Sequence, residues 1–425
     1  MPMTRWRPYL LGALGLAAMT FPFLWLQLVP NFDTNTVGIA WAPAHGLQFF
    51  NDLLPVFVIA FLIWAGVRAN RHWGWGVAVG RNAAWQKGSV VWSDYWAWVA
   101  MPLVLSGPLF LSASGVGLLT NAGIYMLLAL GLNITVGMTG LLVLGYAGFF
   151  AIGAYFFALM QQNLPWFPWW IAAPLAFPIG GGIGYLLGLP CLRLRGDYLA
   201  IVTLGFAEAF RETLRNLDLA GADQGIILHT SAMFRGFAGM NAGVTCYVVT
   251  ALVLFLAMFL LQRLYHSPVG RAWIAIRENE IAAAAVGVPV VQMKLLAFSL
   301  SAAIAAVAGV IYAAKDGFVS PAMCEFQQSI MVLAMVILGG LGNSYGAMLG
   351  AGLLYLVPEY LKLLPSTIRE NATLDAIVPD FVRDSLQNLS NYRLLLFGAV
   401  MVLMMLYRPQ GLLGSRRRKT EMLNP

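Results

Sequence analysis

The sequence predicts an all-α, polytopic membrane protein. Three observations carry that prediction. Of 425 residues, 60% are hydrophobic and only 10% charged, whereas soluble domains carry about 25% charged residues. The apolar residues gather into about twelve runs, each near the roughly 20 residues that a helix needs to cross a bilayer. The Lys and Arg residues fall on alternate connections between those runs, the bias that keeps basic loops on one side of a membrane.

The candidate spans lie near 8–29, 49–67, 96–112, 118–136, 140–160, 166–189, 197–217, 245–263, 293–313, 325–340, 345–364 and 391–407. The first follows Arg5 and Arg7 but is too long for a typical signal-peptide core, so it is expected to be a retained span. Gly137, Gly140, Gly145 and Gly148 interrupt the fourth and fifth, which can form one broken hairpin. Residues 1–95, rich in Trp and Pro, are expected as N-terminal accessory transmembrane segments, 96–414 as the core and 415–425 as a basic tail. Alternation from a cytoplasmic N-terminus puts Arg68, Arg71, Arg81, Lys87, Arg193, Arg195, Arg263, Arg271, Arg277, Lys294, Arg408 and Arg416 to Lys419 inside. It leaves 365–390, with Glu370, Asp375, Asp380 and Asp384 against Arg369 and Arg383, outside, and makes both termini cytoplasmic.

One polar island breaks the apolar pattern. Ser267 to Gly287, SPVGRAWIAIRENEIAAAAVG, combines Arg271, Arg277, Glu278 and Glu280 with Trp273, Ile276 and Ile281. Ser267 suits a helix N-cap, Pro268 the first helical position and Gly287 the left-handed residue after a helix end. A short capped helix between two spans must lie at the water boundary, because its charges cannot enter hydrocarbon. It offers a docking surface to something soluble.

Other features bound the function. The charge of +7 is assigned to membrane orientation rather than to nucleic acid. Cys191, Cys246 and Cys324 form no C-x-x-C pair, and His45, His72, His229 and His266 have no ligand spacing, so no metal or other cofactor is expected. No G-x-x-x-x-G-K-[ST] occurs, so any ATP that drives the protein is hydrolysed by another subunit. Gly342 to Gly346 matches G-x-S-x-G, but between two apolar spans it reads as a glycine-rich turn rather than a nucleophile elbow. Gly180, Gly184 and Gly188, and again Gly342, Gly346 and Gly350, repeat every fourth residue, the spacing of close helix packing. Glu208, Arg211, Glu212 and Arg215 lie within the run 197–217. Ionisable groups at membrane depth are costly and point to function, so Glu208, with Arg211 as its partner three residues on, is a candidate for the translocation route. The alternative places these charges among outer headgroups. Lys315 and Asp316 are expected to close the span before them.

Several long stretches resemble a known family. They are LGLNITVGMTGLLVLGYAGFFAIGAYFFAL (130–159), LRLRGDYLAIVTLGFAE (192–208), PVGRAWIAIRENEIAAAAVGV (268–288), LAFSLSAAIAAVAGVIYAAKDGFVSP (296–321), VILGGLGNSYGAMLGA (336–351) and LYRPQGLLG (406–414). Together they resemble the longer permease type of bacterial ABC importers for branched-chain amino acids. The resemblance implies an ABC importer permease-like helical bundle in the bacterial inner membrane, with no catalytic role of its own. It implies a second permease subunit, two ATP-binding subunits and an extracytoplasmic solute-binding protein as partners, with the lipid bilayer around them. It also implies that the island is the coupling helix, with Arg271, Trp273, Arg277 and Glu278 on it and with Glu280, Ala283 and Gly287 at the positions of the family's E-A-A…G pattern. The family's outer segment, similar to Thr-Gly-Gly-Pro-Asn-Gly, is replaced here by AGADQGI (220–226). A permease for urea or short amides, an ion-coupled secondary transporter and, on G-x-S-x-G alone, an intramembrane hydrolase are the competing readings.

Overall fold

The computed structural model describes residues 26–31, 36–41, 113–164, 167, 169–191, 197–228 and 242–370, with single positions near 398–412. The chain divides into two compact units, residues 1–112 with 234–245, and residues 113–233 with 246–425. In the first, β1 (Leu26–Asn31) pairs antiparallel with β2 (Thr36–Trp41), Leu26 opposite Trp41. This trims the expected first span, since the run 8–29 ends inside β1. The antiparallel pairing of the two strands brings the chain back on itself there. The expected spans 49–67 and 96–112, nearly all of 391–407, the tail and 371–390 lie outside the described residues.

The second unit is helical. It comprises α1 (Ala113–Leu132), which continues as a π-helical segment Asn133–Thr139, then α2 (Tyr146–Asn163), α3 (Trp169–Cys191) and α4 (Asp197–Asn216). After them come α5 (Ala242–Tyr265), which belongs to this unit from Cys246 on, α6 (Pro268–Glu278), α7 (Glu280–Ala285), α8 (Val290–Asp316), α9 (Phe326–Gly339) and α10 (Ser344–Glu370). The helices fall on the predicted spans from 118 onward, with α10 running past its expected end. Among the described residues four are long and apolar enough to cross a membrane: Gly115–Thr139, Trp169–Pro190, Gly243–Tyr265 and Val290–Asp316. The expected span 197–217 is not among them, because Asp197, Glu208, Arg211, Glu212 and Arg215 give α4 a polar face and too many charges for a wholly apolar span.

Helix α8 is the axis of this unit, packed by α3, α2 and α1. Its alanines make that possible: Ala302, Ala303, Ala305, Ala306, Ala308 and Ala313 are all buried. Gly180, Gly184 and Gly188 lie against them and against Leu295, so the first glycine ladder is the seam between α3 and α8. Three polar ties cross the seams. Ser299 Oγ donates to Gly181 O at 2.7 Å, Ser301 Oγ to Gly131 O at 2.8 Å and the Tyr146 hydroxyl to Ser301 O at 3.3 Å. In the second ladder Gly346 and Gly350 pack α10 on Gly339 and Met335 of α9, but Gly342 belongs to the connecting turn.

The two ends of α8 differ. At its C-terminus the Lys315–Asp316 pair precedes Gly317, whose left-handed backbone closes the helix. Beyond it β4 (Phe318–Val319) pairs antiparallel with β3 (Ile226–Ile227), and a 3₁₀ turn, Pro321–Cys324, packs on α2 and α4. At its N-terminus α6, the end of α1 and the α9–α10 turn converge. Leu412 reaches the same end, its N–H donating to Leu338 O at 2.8 Å.

Candidate functional site

The island folds as two helices where one was expected. Ser267 caps α6, its Oγ accepting from the Gly270 N–H at 3.3 Å, with Pro268 at the first helical position. The interruption is Asn279, which adopts an extended backbone and caps α7, its Oδ1 accepting from the N–H groups of Ile281 and Ala282, both at 3.0 Å. Asparagine favours a cap over a helix interior because its side chain competes for backbone donors. That signal was legible in the sequence but lay hidden inside a long helix-forming run. Gly287 then takes φ +88°, as expected of the residue that ends the element.

The inward and outward faces of the pair divide the candidate residues. Trp273 is wholly buried, and its Nε1 donates to Met293 O at 2.8 Å. Ile276 and Ala283 are buried beside it. Arg277 also turns inward, donating from Nη1 to Gly137 O at 2.6 Å. Glu280 is held at 2.6 Å by Lys294, a nearly buried lysine of α8. Outward lie Arg271, tied to His266 O at 3.1 Å, and Glu278. Ile281 and Val286, 79% and 83% exposed, form an uncovered apolar ledge there.

Glu208 and Arg211 form an ion pair on α4, Glu208 half-exposed and Arg211 less so. The pair belongs to a ladder. Arg211 also reaches Glu212 at 3.4 Å, Arg215 reaches Glu212 at 3.3 Å, and Arg215 binds Asp223 through two hydrogen bonds at 2.7 and 3.1 Å. Those bonds hold the Asp223 carboxyl below its ordinary value. The ladder leads toward the β3–β4 end of α8, away from α6 and α7, so the structure does not bring the two groups of candidates together. Lys294, paired with Glu280, and Asn133, whose Oδ1 accepts from the Gly342 N–H at 3.0 Å, make contacts that composition and spacing did not single out. A lysine among basic loop residues looks like an orientation signal, and a lone Asn in an apolar run carries no mark of its partner.

The family described as the permease component of the branched-chain amino acid transport system matches residues 115–405. The chain is 39% identical over 353 residues to the high-affinity branched-chain amino acid transport system permease protein LivM of Salmonella typhimurium, covering 78% of this chain and 77% of that protein. It is 38% identical over 360 residues to LivM of Escherichia coli, covering 79% of each. The LivH permease protein of the S. typhimurium system is 26% identical over 257 residues, 57% of this chain and 83% of that protein. No solved structure matches the chain.

Proposed function

Because the chain belongs to the branched-chain amino acid transport permease family, we propose that it is a membrane-spanning permease subunit of a binding-protein-dependent ABC importer. In this reading it passes branched-chain or other hydrophobic amino acids through the bacterial inner membrane. ATP is hydrolysed by two partner subunits, a second permease completes the pore, and an extracytoplasmic binding protein delivers the substrate. Both termini are cytoplasmic, and residues 1–95 are accessory to the core.

The carrying observation is the outward face of α6 and α7. Ile281 and Val286 are exposed on a short element whose underside is fixed by Trp273, Arg277 and the Glu280–Lys294 pair. An exposed apolar ledge on a firmly seated support suits docking of a soluble subunit. Glu280 supports the ledge from within rather than supplying a free charge to the partner.

The test is co-purification of the ATP-binding subunits with Ile281→Asp and Gly287→Pro variants, together with uptake of leucine and of urea by the whole complex. Both variants should lose the ATP-binding subunits, and the parent should take up leucine and not urea. Retention of those subunits by both variants would remove α6 and α7 as the docking element. Uptake without ATP would favour an ion-coupled transporter. For sidedness, a cysteine placed at Asn424 should resist an impermeant thiol reagent in intact cells, while one at Ala372 should react.

A further inference from the structure

Three separated stretches of chain meet at one point: the π-helical end of α1, the C-terminal turn of α6 and the α9–α10 connection. The last carbonyls of a helix have no donor of their own and carry its negative dipole end. At the end of α1 that role falls to Gly137 O, and the Arg277 guanidinium fills it at 2.6 Å. Charge-assisted bonds of this kind are short and strong. Asn133, wholly buried four residues earlier, accepts from the Gly342 N–H at 3.0 Å. Its Nδ2 has no partner among the described residues, so the side chain is kept there by the bond to the turn.

The junction has no slack. A Cβ on Gly137 would stand 2.6 Å from Gly342 N, and one on Gly342, at φ +82°, would stand 2.9 Å from Arg277 Nη1. Side chains are thus excluded from both sides of the contact, and Asn133 and Arg277 tie the three backbones together. Immediately beyond, residues 140–145 run without helix to the start of α2. Leu141 N–H donates to Thr135 O at 3.0 Å, and Leu144 N–H to Thr203 Oγ1 of α4 at 3.1 Å. A shift of α6 therefore pulls on the place where α1 hands over to α2 and, through Thr203, on α4.

We propose that Arg277 and Asn133 are positioning residues that make this junction one rigid link, carrying the motion of the coupling helices to the break between α1 and α2. The inference rests on the docking reading above. Arg277 faces away from the docked subunit, so its loss should separate transport from hydrolysis without detaching the ATP-binding subunits.

The experiment uses the complete complex in proteoliposomes, with leucine as substrate and Cys191, Cys246 and Cys324 replaced by Ala. A Cβ on Gly140, whose φ is +75°, would lie 3.8 Å from Arg277 Cβ, the spacing of a disulfide, at the cost of a left-handed L residue. Arg277→Cys and Arg277→Gln should retain the ATP-binding subunits while leucine moved per ATP falls about tenfold, and Asn133→Ala should fall the same way. In Gly140→Cys/Arg277→Cys, oxidation should restore most of the parent ratio and reduction should abolish it again. A parent-like ratio in Arg277→Cys and Arg277→Gln overturns the proposal. So does loss of the ATP-binding subunits in step with transport, failure of the cross-link to form, or a formed cross-link that restores nothing. A parent complex that takes up no leucine on ATP overturns the importer reading and, with it, this one.

Discussion

The two ends of α8 hold comparable polar residues and use them differently. At the N-terminal end, Trp273, Arg277, Glu280 and Asn133 each reach across to another element, and at least one partner in every bond is buried. At the other end, Glu208, Arg211, Glu212, Arg215 and Asp223 pair among themselves, with Arg211 mostly covered and the others half-exposed or exposed. Exposed pairs contribute roughly 0–1 kcal/mol because water screens them and their long side chains lose freedom. A buried bond to a backbone group has no water to fall back on, and breaking it leaves a polar atom unsatisfied. The first end therefore fixes geometry, whereas the second decorates a surface and leaves it adaptable.

Substitutions can break or sharpen that contrast. The largest effect is expected for Trp273→Ala. It removes a wholly buried indole and its hydrogen bond to Met293 O, at about 3–5 kcal/mol, which a lowered thermal unfolding midpoint in detergent would record. An unchanged midpoint would deny α6 its anchored status. Lys294→Ala comes next. One partner of its pair is nearly buried and the other half-exposed, so the loss should fall between the roughly 0–1 kcal/mol of exposed pairs and the roughly 3–5 kcal/mol of broken buried ones. Glu280→Gln in the Lys294→Ala background should then add little, since the two act as one pair.

Gly287→Ala should be milder. The space around a Cβ there is open, so only the left-handed backbone opposes it, at about 1–2 kcal/mol. The same midpoint measurement should place it below Lys294→Ala, while Gly287→Pro, whose ring forbids φ +88°, should abolish docking.

The smallest effect belongs to Arg215→Ala, which should leave the midpoint where it is. Its signature is instead local and pH-dependent. The Asp223 carboxyl is depressed by its hydrogen bonds to Arg215. Its contribution is present above the ordinary carboxylate range near pH 4 and is lost as pH falls through the depressed value. Protection from hydrogen exchange at residues 218–224, taken relative to the intrinsic rate at each pH, should fall on acidification below about pH 4 in the parent and be low throughout in Arg215→Ala. Identical profiles would mean that the ladder orders nothing.

By itself the sequence determined the all-helical membrane class, the position of each described helix from 118 onward, the Ser267 cap and the left-handed Gly287. These follow from local causes: run length against bilayer thickness, capping chemistry and the freedom of glycine. It also determined the Glu208–Arg211 pair, since groups three residues apart share a helix face. The tertiary structure decided which charges matter. Arg277 and Glu280 look equally exposed in a capped polar helix. Only the fold reveals that Gly137 O and Lys294, 140 residues upstream of Arg277 and 14 downstream of Glu280, claim them. It likewise turned Gly342 from a rung of a helix ladder into part of a turn against Gly137 and Arg277. The physical reason is common to all of these. Periodicity records how a residue relates to its own element, whereas a hydrogen bond to a distant backbone group depends on where two elements come to rest after packing.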